Sequence, residues 1–270
     1  MKNKYVYLLG IIALLLAIMA CSVFGGGDNV STEEPGSSES GNETSEPTEE
    51  PPVAVSSLCD NEYYPVVEGG TWSYYGTSTA TEDYTFSNTI TSVRSDGFTV
   101  TVEFDDLTLV QEMACLPEGI LALNAGGGPA GTLNTSGVSL EMDTQNASGI
   151  TFPKDIQPGD TWTHTLDYTG TMEIAGQTVN VTGNTVYNYT AVETESVTVQ
   201  AGTFDAMKVE IVTTVTIISD IQGSSVPVTF SSTSTSWYAQ GVGWVKSDSV
   251  SEFGGITSTD LVELTSYNIP

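Results

Sequence analysis

Ser236-Trp-Tyr-Ala-Gln-Gly-Val-Gly-Trp-Val-Lys246 is the stretch from which the fold can be read. Its pattern is strand, tight turn, strand. Trp237, Tyr238, Trp244 and Val245 suit a pleated, half-buried surface. Gly241 and Gly243 supply the positive φ angles that a hairpin turn requires. Burying each Trp is worth roughly 2–3 kcal/mol in apolar area. The hairpin is therefore expected to anchor a core in the C-terminal half. An exposed Trp pair that binds sugar or lipid is the competing reading.

The chain around this hairpin is strand-like from Leu58 onward. Tyr84–Ile90, Phe98–Phe104, Val209–Ile217 and Val226–Phe230 alternate apolar residues with Thr and Ser. Such alternation implies antiparallel strands with one solvated face, the Thr and Ser pointing to water. Turn signals at Asp96-Gly97, Gly170, Ala175-Gly176 and Ala201-Gly202 separate the strands. No amphipathic helical run follows the first twenty residues. The expected fold class is all-β and antiparallel.

Two stretches echo each other. Tyr64-Pro65 leads to Glu68-Gly-Gly-Thr-Trp-Ser-Tyr74, and Phe152-Pro153 leads to Pro158-Gly-Asp-Thr-Trp-Thr-His164. In both, an aromatic-Pro pair and a Gly turn precede Thr-Trp at a strand start. Met113–Leu123 holds the place in the first half that the Trp237–Trp244 hairpin holds in the second. Two related meander halves, residues 58–130 and 131–270, are expected to form a curved sheet, half-barrel or barrel. Trp72, Trp162, Trp237 and Trp244 are the expected structural anchors. Chance likeness of strand-start chemistry is the alternative.

Charge narrows the function classes. The 270 residues carry six basic and 34 acidic side chains, a formal net charge of −28. Nucleic acid is excluded as a partner, because phosphate binding needs clustered Lys and Arg. A basic patch on an anionic membrane is excluded likewise. A solvated acidic surface, a high-salt habitat and calcium binding are each compatible with the excess.

Lys2 and Lys4 precede an apolar run from Val6 to Ala20, which is short for a membrane span and suited to a signal peptide. Ile18, Ala20 and Cys21 resemble a bacterial lipobox, with Met19 an unusual occupant of its position. The resemblance implies a leader over 1–21, lipidation of Cys21 (palmitate among its acyl groups) and a membrane anchor outside the cytoplasm. An uncleaved anchor and ordinary secretion are the alternatives. Residues 22–57 are rich in Ser, Thr, Glu, Gly and Pro, and cannot bury enough apolar surface to offset ordering entropy. As a disordered stalk this segment spans roughly 35 Å end to end.

Cys59 and Cys115 remain in the folded part, and an even pair outside the cytoplasm suggests a disulfide. Two separate buried thiols are the alternative. Cysteines this far apart with a single His lack zinc spacing, so no metal or other cofactor is expected. His164 has no Gly-x-Ser-x-Gly elbow to serve, and a surface or strand position is expected for it. Glu103, Asp105 and Asp106 could pair for glycoside hydrolysis or bind calcium. A solvated turn explains them as well. The chain is expected not to be an enzyme.

Tyr63-Tyr-Pro65 with Gly69–Tyr74, Val199–Val209 and Trp237–Lys246 together resemble a broad group of uncharacterised bacterial β-rich lipoproteins and secreted proteins. The likeness covers most of the chain after Leu58. It implies the fold and a location in the cell envelope or at its surface, and assigns no reaction. Three functions compete. The first is an anchored, non-catalytic binding domain for a protein or polysaccharide. The second is a carrier of a lipid or other hydrophobic ligand in a concave sheet. The third, and weakest, is a hydrolase of surface polymers.

Overall fold

The computed structural model describes residues 58–270 apart from 105–107, 125–129, 136–137, 175–176, 222–223 and 254–255. The leader, Cys21, the stalk, Asp105 and Asp106 lie outside the described residues.

The first half supplies β1 (Thr71–Ser78), β2 (Tyr84–Arg94), β3 (Gly97–Phe104), β4 (Thr108–Leu116) and β5 (Gly119–Ala122). Next come β6 (Ala130–Thr135), β7 (Val138–Gly149) and the two-residue β8 (Phe152–Pro153). The remaining strands are longer: β9 (Thr161–Ile174), β10 (Gln177–Val199), β11 (Gly202–Ile221), β12 (Ser224–Ala239), β13 (Gly243–Phe253) and β14 (Ile256–Asn268). They form one antiparallel sheet in the order β6-β7-β9-β10-β11-β12-β13-β14-β1-β2-β3-β4-β5-β8. The fold is all-β, as its residue alternation predicts.

The echo in the sequence is an echo in backbone bonding. Gly69 N donates to Ile90 O at 2.9 Å, and Ile90 N donates to Gly70 O at 3.0 Å. In the second half Gly159 N donates to Ala191 O at 2.8 Å, and Ala191 N donates to Asp160 O at 2.9 Å. A bulge follows each site, between Ile90 and Ser92 and between Ala191 and Glu193. Gly69 and Gly159 have φ of 80° and 98°, a region that costs a Cβ-bearing residue energy. β1–β5 and β9–β13 thus follow one plan.

The plan also explains how the sheet curls. β14 lies between β13 and β1. The matching place, between β5 and β9, is filled by β7 running on into β8. Gly149 pairs with His164, and Ile150 N donates to Thr163 O at 3.0 Å. Two residues later the chain turns to β5: Thr151 N donates to Ile120 O at 2.9 Å, and Phe152 pairs with Ile120. The ladder is open in strand order, but β5 and β9 both bond to this one segment.

Both halves feed one hydrophobic cluster. Tyr74, Phe86 and Phe98 of the first half join Tyr189, Met207, Val209, Val245 and Leu264 of the second. Cys59 and Cys115 are joined as a disulfide, Cα atoms 5.0 Å apart, tying the entering chain to β4.

The Trp hairpin divides its aromatics between two faces. Tyr238 and Trp244 are paired and point inward, Trp244 meeting Tyr74 with ring centroids 4.6 Å apart. Trp237 pairs with Lys246 on the other face. Its Nε1 donates to Glu195 Oε1 at 2.7 Å, and Lys246 Nζ sits 5.5 Å from its ring centroid. The pleat is the reason: successive residues point to opposite faces, so Trp237 and Tyr238 cannot share one.

Candidate functional site: the interior of the curled sheet

Register alone sets what the interior presents. One cross-strand row runs Trp162 (β9), Tyr189 (β10), Ile211 (β11), Ser234 (β12), Ser249 (β13), Asp260 (β14) and Ser78 (β1). The next runs His164, Tyr187, Thr213, Ser232, Ser251 and Ser258. On the other side lies Val209, Ser236, Ser247, Val262 and Gly76. The interior therefore has an aromatic wall on β9–β10 and a hydroxyl wall on β12–β14.

This reverses part of the sequence expectation. Alternation predicts Ser and Thr on the water side. In β12 the inward set is Phe230, Ser232, Ser234, Ser236 and Tyr238, while Ser231, Thr233 and Thr235 take the outer face. Both faces are hydroxyl-rich, so the pattern alone could not tell which is enclosed.

The aromatic wall is stacked side by side. Trp162 and Tyr189 lie 5.1 Å apart at an interplanar angle of 5°, and His164 and Tyr187 lie 5.3 Å apart at 12°. Rings stacked across strands spend faces on one another and turn edges inward. His164 is buried at 2% exposure, with Nε2 3.1 Å from Ala122 O. That contact joins β9 to β5, the two strands that the β7–β8 segment bridges. Burial lowers the His164 pKa, and the bond to Ala122 opposes the shift in part. His164 is thus an interior strand residue, away from the surface.

Tyrosine hydroxyls gather inside. Burial raises Tyr187 and Tyr238 to about 12. Tyr64, Tyr74 and Tyr189 are raised further, again mainly by burial, with neighbouring tyrosines adding to it. Tyr74 donates to Trp244 O at 3.0 Å. Yet Tyr64, Tyr187 and Tyr238 keep accessible surface. The two facts agree if that surface faces the interior.

Half-exposed inward positions lie between a packed base and a second buried row, Leu166, Thr185, Val215 and Phe230. Tyr74, Val209 and Leu264 at the base are 3%, 0% and 0% exposed. Trp162, Tyr187, Ser234, Ser247 and Asp260 also point inward but stay half-exposed. In the His164 row, Ser232 and Ser251 are 9% and 5% exposed. No cluster of three or more potential metal-ligating side chains occurs among the described residues. Trp72 Nε1 donates to Val242 O at 2.6 Å. Trp162 Nε1, at the seam, donates to Thr151 O at 3.2 Å. Sequence reasoning had singled out the Trp residues and missed the serine rows and Tyr187, whose roles depend on register.

Residues 129–262 match the DUF3108-like family model, a span running from β6 into β14. No curated protein matches the chain. Among solved structures, the chain is similar to a Bacteroides fragilis protein assigned as exported, with a YmcC-like fold. The identity is 13%, coverage 77% of this chain and 99% of that one, and the TM-score 0.42. A Parabacteroides distasonis protein assigned as a lipoprotein is similar at 14% identity, 78% and 99% coverage and a TM-score of 0.44. The hypothetical lipoprotein YmcC of Escherichia coli is similar at 10% identity, 73% and 84% coverage and a TM-score of 0.31.

Proposed function

We propose that this chain is an envelope-anchored lipoprotein whose folded part is a non-catalytic binding domain, with its ligand taken into the interior of the curled sheet at the level of Ser234. The anchor and location rest on the lipobox-like Ile18–Cys21 and the polar stalk after it. The observation that carries the binding site is the set of inward-facing residues that keep accessible surface: Trp162, Tyr187, Tyr238, Ser234, Ser247 and Asp260. In a filled barrel these positions would be as buried as Leu264.

Absence of catalysis is supported by the placing of the ionisable groups. Asp260 is on β14 and His164 on β9, in different cross-strand rows and with four strands between them in the sheet order. His164 is committed to Ala122 O and to the Tyr187 ring. Among the described residues neither has a partner positioned to activate a nucleophile. Against a lipid carrier, the inward positions that keep accessible surface include the Ser234 and Ser247 hydroxyls and the Asp260 carboxylate, which an acyl chain would desolvate.

Native mass spectrometry of the full-length protein, extracted gently from its own membrane, tests this reading. A bound molecule near one-to-one is expected, and Ser234→Trp, which fills the interior, should lose it without a change in melting temperature. Wild-type protein that is empty under conditions preserving its fold would contradict the proposal.

A further inference from the structure

Resting on that reading of the interior, we infer that the ligand is an uncharged, hydroxyl-rich molecule of carbohydrate type, held between the aromatic wall and the serine wall. Three observations exclude the other chemistries.

The first concerns charge. The described cations are Arg94, Lys154, Lys208 and Lys246. Arg94 pairs with Glu112, Lys208 with Glu193 and Glu195, and Lys246 with Glu263. Lys208 and Lys246 belong to the outer face that carries Trp237, and Lys154 is exposed in the segment after β8. No Lys or Arg occupies the inward rows, so an anion would find no counter-charge in a chain of net charge −28.

The second concerns polarity. Ser234, Ser247 and Asp260 point inward and keep accessible surface. An acyl chain laid along this wall would desolvate hydroxyls without replacing their bonds, which is unfavourable. A polyol offers donor and acceptor at every position. The third concerns the opposite wall. The stacked Trp162, Tyr189, His164 and Tyr187 present ring edges and phenol hydroxyls more than open faces. That geometry favours hydrogen bonding at the rim of an apolar surface over enclosing a bare cation, which needs ring faces.

The test is a titration of the full-length protein in detergent, followed by intrinsic Trp fluorescence. The probes are a panel of neutral oligosaccharides, one polyanionic glycan and palmitate. Saturable binding of a neutral glycan is expected. Ser234→Ala with Ser247→Ala should weaken it roughly tenfold, the loss of one to two hydrogen bonds. Thr233→Ala, on the outer face of the same strand, should leave it unchanged. Palmitate or polyanion binding that is sensitive to Ser234→Trp would keep the interior site and overturn the ligand class. Failure of every probe to bind would overturn both. Neutral-glycan binding that survives the double serine variant but falls in an outer Trp237→Ala variant would place the site on the outer face and also overturn the inference.

Discussion

His164 shows how one side chain reports the state of the whole seam. Its ring is buried against Tyr187 and bonded to Ala122 O, and its pKa is lowered by burial. An unfolded His titrates near about 6.5. Below that value the unfolded chain takes up a proton that the folded chain resists. The stabilisation is therefore fully present above about pH 6.5 and is lost as pH falls through the lowered folded value. Urea midpoints at pH 7.5 and pH 5 should differ more for the wild type than for His164→Gln. Equal differences in the two proteins would show that His164 does not carry this pH dependence. Gly149 is a second informative residue. Its φ is 82°, and an added Cβ would stand 2.0 Å from Thr163 O. Gly149→Ala should cost about 2–3 kcal/mol by chemical denaturation, from strain plus a backbone clash. Gly241, at φ 69° with nothing within 4 Å, should cost only about 1 kcal/mol as Ala.

At the scale of elements, local chemistry was legible and pairing was not. The Gly turn before Thr-Trp could be read in both halves because turn residues and strand starts are set by neighbours in sequence. It became two matching pairs of backbone bonds, at Gly69 with Ile90 and at Gly159 with Ala191. The hairpin at Trp237–Trp244 was legible for the same reason. Nothing in Phe152-Pro153 announces that it pairs with Gly119-Ile120, since that contact depends on where the rest of the sheet brings β5. The serine rows were misjudged because Ser234 and Thr233 are equally polar, and only register assigns one to the inside. Cys59 and Cys115 bracket a separation of 56 residues. Replacing both with Ser should lower stability by about 2–4 kcal/mol, measured in denaturant with the wild type fully oxidised. A loss near zero would mean that the entering chain is held by its other contacts, such as Asn61 Nδ2 to Pro153 O at 2.7 Å.

For the whole molecule, charge and enclosure are the two governing quantities. A net charge of −28 repels itself at low ionic strength. Salt screens that repulsion over a Debye length of about 10 Å at 0.1 M. Melting temperature should therefore rise between 10 mM and 500 mM sodium chloride, and a flat response would mean that the acidic groups are already neutralised by bound cations. Composition made this much readable in advance. Enclosure was not readable, because a sheet with hydroxyls on both faces gives no sign of which side curls inward. The account depends on an interior that is packed at Leu264 and Tyr74 but open at Ser234 and Tyr187.

Thiol accessibility along β12 measures that opening most directly. Ser234→Cys and Thr233→Cys, adjacent on the strand, are each treated with a small maleimide and with a maleimide carried on a large polymer. The account predicts that the small reagent modifies both, while the large one modifies Thr233→Cys and is excluded at Ser234→Cys. A Ser234→Cys thiol that resists the small reagent until the protein is unfolded would mean a filled interior, and would contradict the binding site drawn from it.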